Sequence, residues 1–380
     1  MLTQISRQKL WRLLFICSLI ACALSLLVNR ATGAASLLTP GYLWSLTSAL
    51  VTAGGLSLAV GGFTVAGVIA ASRDSGLLRL HRLCLMLACT GYFVAVAAMV
   101  LQFHLGWRSL WELWSPRSLP AGAGVSLLLC LVLMAREFGY DQPRLSPWVR
   151  NAVADYVGTL ITCLVAVVVA LQQMTFIRIV WLAPDQFSPI WSGPMLSIYV
   201  FLSDICLTLA LLIFAFWHLA RITGTPPPAE TMEGVARALT IVVVATVVLR
   251  MLEITDLRQW HTLLESHLSD YLFGLELVLL LTPALFLLNR RLGEQLLDYN
   301  CSVMVIGGVV LSRLNLAITS REMVLGTSFF PRVIDVILAG TTLFAGISIF
   351  VWLLAHDPVL TGTVRHSKPP VVQDLSWRSR

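Results

Sequence analysis

Apolar stretches of span length recur along the whole chain, near residues 10–28, 44–70, 82–104, 119–136, 152–172, 195–218, 235–255, 269–288, 299–319 and 334–354. Each is long enough, as a helix, to cross a hydrocarbon core about 30 Å thick. The alternation of apolar and polar positions that marks a membrane β-barrel is absent. The pattern predicts an all-α polytopic transmembrane bundle of ten spans. Its helical domain covers residues 1–357, and the polar, Pro-containing end DPVLTGTVRHSKPPVVQDLSWRSR makes 358–380 a disordered tail. The first run, WRLLFICSLIACALSLLV, is as long as a span and is not followed by a clear small-residue cleavage site. It is expected to be the first helix and not a removed signal.

Composition agrees with that class, since 57% of residues are hydrophobic and only 12% are charged. The N-terminus, the segments near 72–81, 136–151, 219–237 and 289–298, and the tail hold 17 of the 26 Lys and Arg residues, against 7 in the opposite segments. The positive-inside rule then puts both termini in the cytoplasm, which requires an even number of spans. A multi-pass protein of the cell inner membrane, or its equivalent, is expected. The net charge of +6 reflects this topology and headgroup contact, so nothing calls for a nucleic-acid partner.

The informative departures are polar residues inside the spans. Arg250 and Glu253 interrupt TIVVVATVVLRMLEIT, and Arg313 and Asn315 interrupt GGVVLSRLNLAIT. Charged groups in a membrane span are costly unless they pair or line a wet cavity, so they are functional suspects. With the orientation above, Gln102, His104, Gln172, Gln173, Arg250, Glu253, Glu276, Arg313, Asn315 and Asp335 fall at one level near the outer surface, and Asp204 nearer the midplane. Structural readings stand beside the functional one. Arg250 and Glu253 can be a neutralising i,i+3 pair, the Gln and Asn side chains interhelical hydrogen bonds, His104 an interfacial residue, and Asp335 a helix cap.

A polar layer of this kind suits a small amphipathic molecule that enters from the bilayer and exchanges protons. A quinone, menaquinone or ubiquinone, has that character: its carbonyls need donors, and carboxylates or a histidine can relay its protons. Trp107, Trp111, Trp114, Trp181, Trp191 and Trp260, in the outer loops 105–118, 173–194 and 254–268, are expected as an interfacial belt and docking surface. The eight cysteines show no CxxC spacing and read as small buried residues, which argues against an iron–sulfur cluster in this chain. No two histidines oppose each other at mid-depth, which argues against haem. Gly54, Gly55, Gly61 and Gly62 read as close helix packing. A secondary transporter or ion channel is the rival class. The outward skew of the polar layer and the lack of a matching pair of broken spans argue against it.

Several segments in fixed order resemble one family. They are GGLSLAVGGFTVAGVI, GYFVAVAAMVLQFHLGW running into WELWSPRS, LVLMAREF, LQQMTF, SPIWSGPML, VLRMLEIT, FGLELVLLLTPALFLL, SRLNLAIT and FFPRVID. From about residue 44 to 355 the chain resembles the NrfD-like, polysulfide-reductase-type membrane subunits, and in particular the ten-span quinone-reactive subunit of periplasmic nickel-iron hydrogenases. The resemblance implies that Arg250 and Glu253 match an LR-x-x-E segment, Glu276 and Pro283 the following helix, Arg313 the arginine before the last outer loop, and Pro331 and Asp335 the opening of the final span. It implies a quinone pocket facing an extracytoplasmic, ferredoxin-like iron–sulfur subunit, and through it a redox catalytic or cytochrome subunit. The expected roles are proton transfer by Glu253, Glu276 and Asp335, and quinone binding by Arg250, Arg313, Asn315, Gln102, His104 and Gln172. This chain departs from the family at Gln102, Gln172 and Gly122, where acids or a histidine are common. Those losses make a non-catalytic membrane anchor the alternative.

Overall fold

The computed structural model describes residues 16, 20, 51, 53–72, 77–102, 123–139, 152–182, 191, 193–223, 229–256, 268–289, 295–316 and 333–356. The described elements are helices: α1 (Gly54–Ser72), α2 (Leu78–Gln102), α3 (Ala123–Gly139), α4 (Ala152–Leu182), α5 (Leu196–Thr223), α6 (Ala229–Asp256), α7 (Leu268–Leu288), α8 (Gln295–Leu314) and α9 (Val333–His356). Lipid cannot satisfy backbone N–H and C=O groups, so apolar spans close their hydrogen bonds within each helix. All of these except α3 are long and apolar enough to cross a membrane, and α3 has 17 residues. The chain is a multi-pass helical membrane protein.

Side-chain contacts fix how neighbours run. On α1 and α2, Gly55 meets Gly91 and Ala95, whereas Gly62 meets Ala88, so the pair is antiparallel. A Cβ at Gly55 would lie 2.6 Å from the Gly91 carbonyl oxygen, so two backbones touch where side chains are smallest. Arg82 with Glu137 and Cys89 with Cys130 make α2 and α3 antiparallel. Leu272 with Asn315 and Leu280 with Gly308 do the same for α7 and α8. The bundle is apolar on its outside as well as within. On α4, Val157, Leu160, Leu164, Val167 and Leu171 form an exposed stripe at helical spacing, while Gln172 and Gln173 turn inward. Water would penalise that stripe; hydrocarbon does not.

Against the predicted spans, α2, α4, α5, α6, α7 and α9 run longer. The stretch 173–194, expected as an outer loop, is helical through Leu182. Arg79, Arg82, Arg221 and Arg237, which border the expected loops, lie within helices. The span at 10–28 lies outside the described residues except for Ile16 and Ile20, both helical and exposed. Gly55, Gly61 and Gly62 pack against neighbouring helices, but a Cβ at Gly54 would meet nothing within 4 Å among the described residues. Among the described cysteines, Cys84, Cys89, Cys130, Cys206 and Cys301 are buried and Cys163 is exposed.

Candidate functional site

Arg250 lies six residues before the end of α6, and only 1% of it is exposed. Its Nη1 donates to Glu253 Oε2 at 2.6 Å, one turn along the same helix. Three rings surround the guanidinium: Trp191 with its centroid at 4.3 Å, Tyr199 at 4.8 Å and Phe273 at 5.1 Å. Trp191 and Phe273 meet edge to face, at 5.6 Å and 88°. The negative faces of aromatic rings favour a cation in such a box. Trp191 is therefore no part of an exposed belt. It is 3% exposed and packs inward, because a buried planar cation is available to cover.

The turn before α5 closes the other side. Leu196 N donates to the Gly193 carbonyl, and a Cβ at Gly193 would fall 2.2 Å from Glu253 Oε1. Only glycine lets the chain lie this close to the carboxylate. Glu253 Oε1 has no hydrogen-bond partner among the described residues.

Glu276, on α7 and fully buried, is held from two sides. Tyr199 on α5 donates its hydroxyl hydrogen to Oε1 at 2.7 Å, and Asn315 Nδ2 donates to Oε2 at 2.7 Å and to the Leu272 carbonyl at 3.2 Å. Because Tyr199 has already given its one hydrogen, Ser312 donates to it at 3.2 Å. Asn315 stands in a π-type turn that closes α8. Wide turns of this kind are frequent at functional sites. With Glu253, the cluster holds two carboxylates near one guanidinium.

Arg313 is drawn into a second cluster. Its Nη2 donates to Asp204 Oδ1 at 2.6 Å, Ser203 Oγ at 2.8 Å and the Val200 carbonyl at 3.2 Å, while Nε donates to Ser57 Oγ at 3.0 Å. The two clusters adjoin through consecutive residues, Tyr199 with Val200 on α5 and Ser312 with Arg313 on α8. On α4, Gln172 accepts from the Tyr92 hydroxyl at 3.0 Å and its Nε2 donates to Ser126 at 3.4 Å. Buried polar side chains thus run from α6 across α5, α7, α8 and α1 to α4, α2 and α3.

The structure brings Arg250, Glu253, Glu276 and Asn315 together, puts Arg313 beside them with Asp204, and sets Gln172 further off with Tyr92. Gln102 and Asp335 are on helices, but their side chains lie outside the described residues, as does all of His104. Sequence reasoning missed Tyr199, Ser312, Ser57, Ser203, Phe273 and Gly193 as contributors. Their only signal is hydroxyl, aromatic or glycine character within helices or turns, which is common in any bundle. At the opposite end, Arg82 pairs with Glu137 at 3.3 Å and Arg136 with Glu137 at 3.1 Å, a second pairing the sequence reading did not single out. Among the described residues no group of three or more His, Cys, Asp or Glu converges to hold a metal.

Fold and site define a class: a helical membrane protein whose core carries buried charge pairs. No family model matches the chain. It is similar to a protein of Nitratidesulfovibrio vulgaris strain Hildenborough whose description names no activity, with 22% identity over 356 residues, 87% of this chain and 89% of the other.

Proposed function

We propose that this protein is the integral membrane subunit of a respiratory oxidoreductase complex, of the NrfD-like, polysulfide-reductase type. It exchanges electrons and protons between the membrane quinone pool and an extracytoplasmic, ferredoxin-like iron–sulfur partner, which connects to a redox catalytic or cytochrome subunit. In this reading the chain has ten spans over residues 1–357, both termini and the 358–380 tail on the cytoplasmic side, and a place in the inner membrane. The Arg250 end of the bundle then faces outward, where the partner docks.

The observation that carries the proposal is the gathering of Arg250, Glu253 and Glu276 with Tyr199, Ser312 and Asn315 from four helices. Buried ionisable groups in a membrane protein mark a proton or ligand path by default. The residues present fit a quinone in one respect that can be named. Glu253 Oε1, buried and without a hydrogen-bond partner among the described residues, is an acceptor that a quinol hydroxyl would satisfy. A bound quinone supplies two-electron, two-proton redox chemistry. The chain's own part is to orient and to handle protons. Arg250 supplies positive charge to a carbonyl oxygen, Glu253 takes or gives a proton at Oε1, and Glu276 does so through the Tyr199 hydroxyl, while Asn315 is a ring-holding group. Asp335 is assigned to the same proton transfer, with Gln102, His104, Gln172 and Arg313 as ring-holding groups. The turn at Trp191 and Gly193 covers Glu253 and must shift for a ligand to reach it.

A second reading, a non-catalytic anchor, is favoured by the closed state of both ion pairs and by the three rings that already occupy the Arg250 guanidinium. Replacing Arg250 by Ala in the assembled complex separates the two. Loss of quinone-coupled electron flow, with the partner's activity toward a soluble dye intact, is the expected result; unchanged quinone turnover refutes it.

A further inference from the structure

The hydrogen-bond accounting at Arg313 does not close within the described residues. Its Nη2, with two hydrogens, faces three acceptors on Val200, Ser203 and Asp204. Its Nη1, also with two hydrogens, has none. The same asymmetry marks the other half of the pair, where Asp204 Oδ1 takes the guanidinium and Oδ2 has no partner. Thr208 Oγ1 and Gln173 Oε1 are likewise buried without partners. The Arg313, Asp204 and Gln173 side chains adjoin, since Arg313 and the Gln173 amide both hydrogen-bond to the Asp204 carboxyl. Thr208 Oγ1, one turn further along α5, faces the backbone instead: a Cβ at Gly61 would lie 2.2 Å from the Asp204 carbonyl oxygen and 2.4 Å from Thr208 Oγ1. All four residues are at least nine-tenths buried.

We infer that this cluster is a built hydration site, in which internal water bridges Arg313 Nη1 to Asp204 Oδ2 with Gln173 Oε1 as a further ligand. The donor set selects the ligand. Arg313 Nη1 can only donate, so it rejects a cation; Asp204 Oδ2 is an acceptor beside a full negative charge, so it rejects an anion. Water alone among small ligands accepts from the first while donating to the second and to Gln173. Internal waters typically make about three hydrogen bonds to buried polar groups of this kind. Bridged in this way, Arg313 and Asp204 form a hydrated pair, and the gap between the α8 cluster and Gln172 with Tyr92 is filled by exchangeable protons. The inference does not depend on the quinone reading.

The test is a structure of the intact protein at a resolution that shows ordered water. Solvent density within hydrogen-bond distance of both Arg313 Nη1 and Asp204 Oδ2 is expected. A two-point Arg313–Asp204 pair with no density between them overturns the inference. So does an anomalous peak at Asp204 in crystals grown with RbCl, which would identify a cation. In solution, an internal O–H stretch that shifts in ¹⁸O-labelled water and is lost in the Gln173→Leu variant is expected. An infrared spectrum without such a band, from wild-type protein, overturns it equally.

Discussion

The Tyr199 hydroxyl donates to the Glu276 carboxylate at 2.7 Å, across the gap between α5 and α7, while the same tyrosine's ring lies against Arg250. One side chain therefore couples the caged cation to the second carboxylate. Replacing Tyr199 by Phe keeps the ring and deletes the bond, leaving a buried oxygen of Glu276 short of a donor. A loss of about 1–3 kcal/mol is expected. The readout is the midpoint of thermal unfolding in detergent, and Tyr199→Phe with Glu276→Leu should recover part of the loss.

Arg250 and Glu253 distinguish a working pair from a structural one. Glu253→Gln alone removes the carboxylate bonded to a buried guanidinium and leaves only Glu276 nearby, so destabilisation of up to about 3–5 kcal/mol is expected. The change Arg250→Met, Glu253→Leu, made together with Glu276→Gln so that no buried carboxylate loses its cation, should fold nearly as well as wild type. Under the proposed function this well-folded variant has lost quinone-coupled electron flow. If it turns over quinone normally, the pair only holds helices together.

Gly193 is predicted to be intolerant because of one contact. An alanine methyl would sit 2.2 Å from Glu253 Oε1, so either the turn or the carboxylate must move. Gly193→Ala should lower stability by about 1–3 kcal/mol, the usual range for overpacking. Shortening the acid, Gly193→Ala with Glu253→Asp, should restore part of it. Equal melting temperatures for wild type and Gly193→Ala would show that the turn is not seated on the carboxylate.

Two glycines on α1 give a paired control. A Cβ at Gly61 would strike the Asp204 carbonyl, which is backbone and cannot turn aside, whereas one at Gly54 meets nothing within 4 Å among the described residues. Gly61→Ala is expected to abolish the monodisperse peak in size-exclusion chromatography. Gly54→Ala should leave it unchanged or gain up to about 1 kcal/mol from helix propensity.

The class of the protein was legible in the chain because lipid imposes a severe local rule: a span must be long, apolar and helical. The α5 span, for example, was placed at 195–218 and is found at Leu196–Thr223. The same rule made Arg250 and Glu253 conspicuous, and their pairing followed from spacing on one helix. What escaped was everything set by contact between distant segments. Depth along its helix groups Arg313 with Arg250, yet it pairs with Asp204, 109 residues away, and reaches Ser57, 256 residues away. Trp191 was expected outside and is found covering Arg250. Depth along a helix is written in the sequence; rotation about its axis, and therefore the neighbour a side chain meets, is decided only when the helices pack.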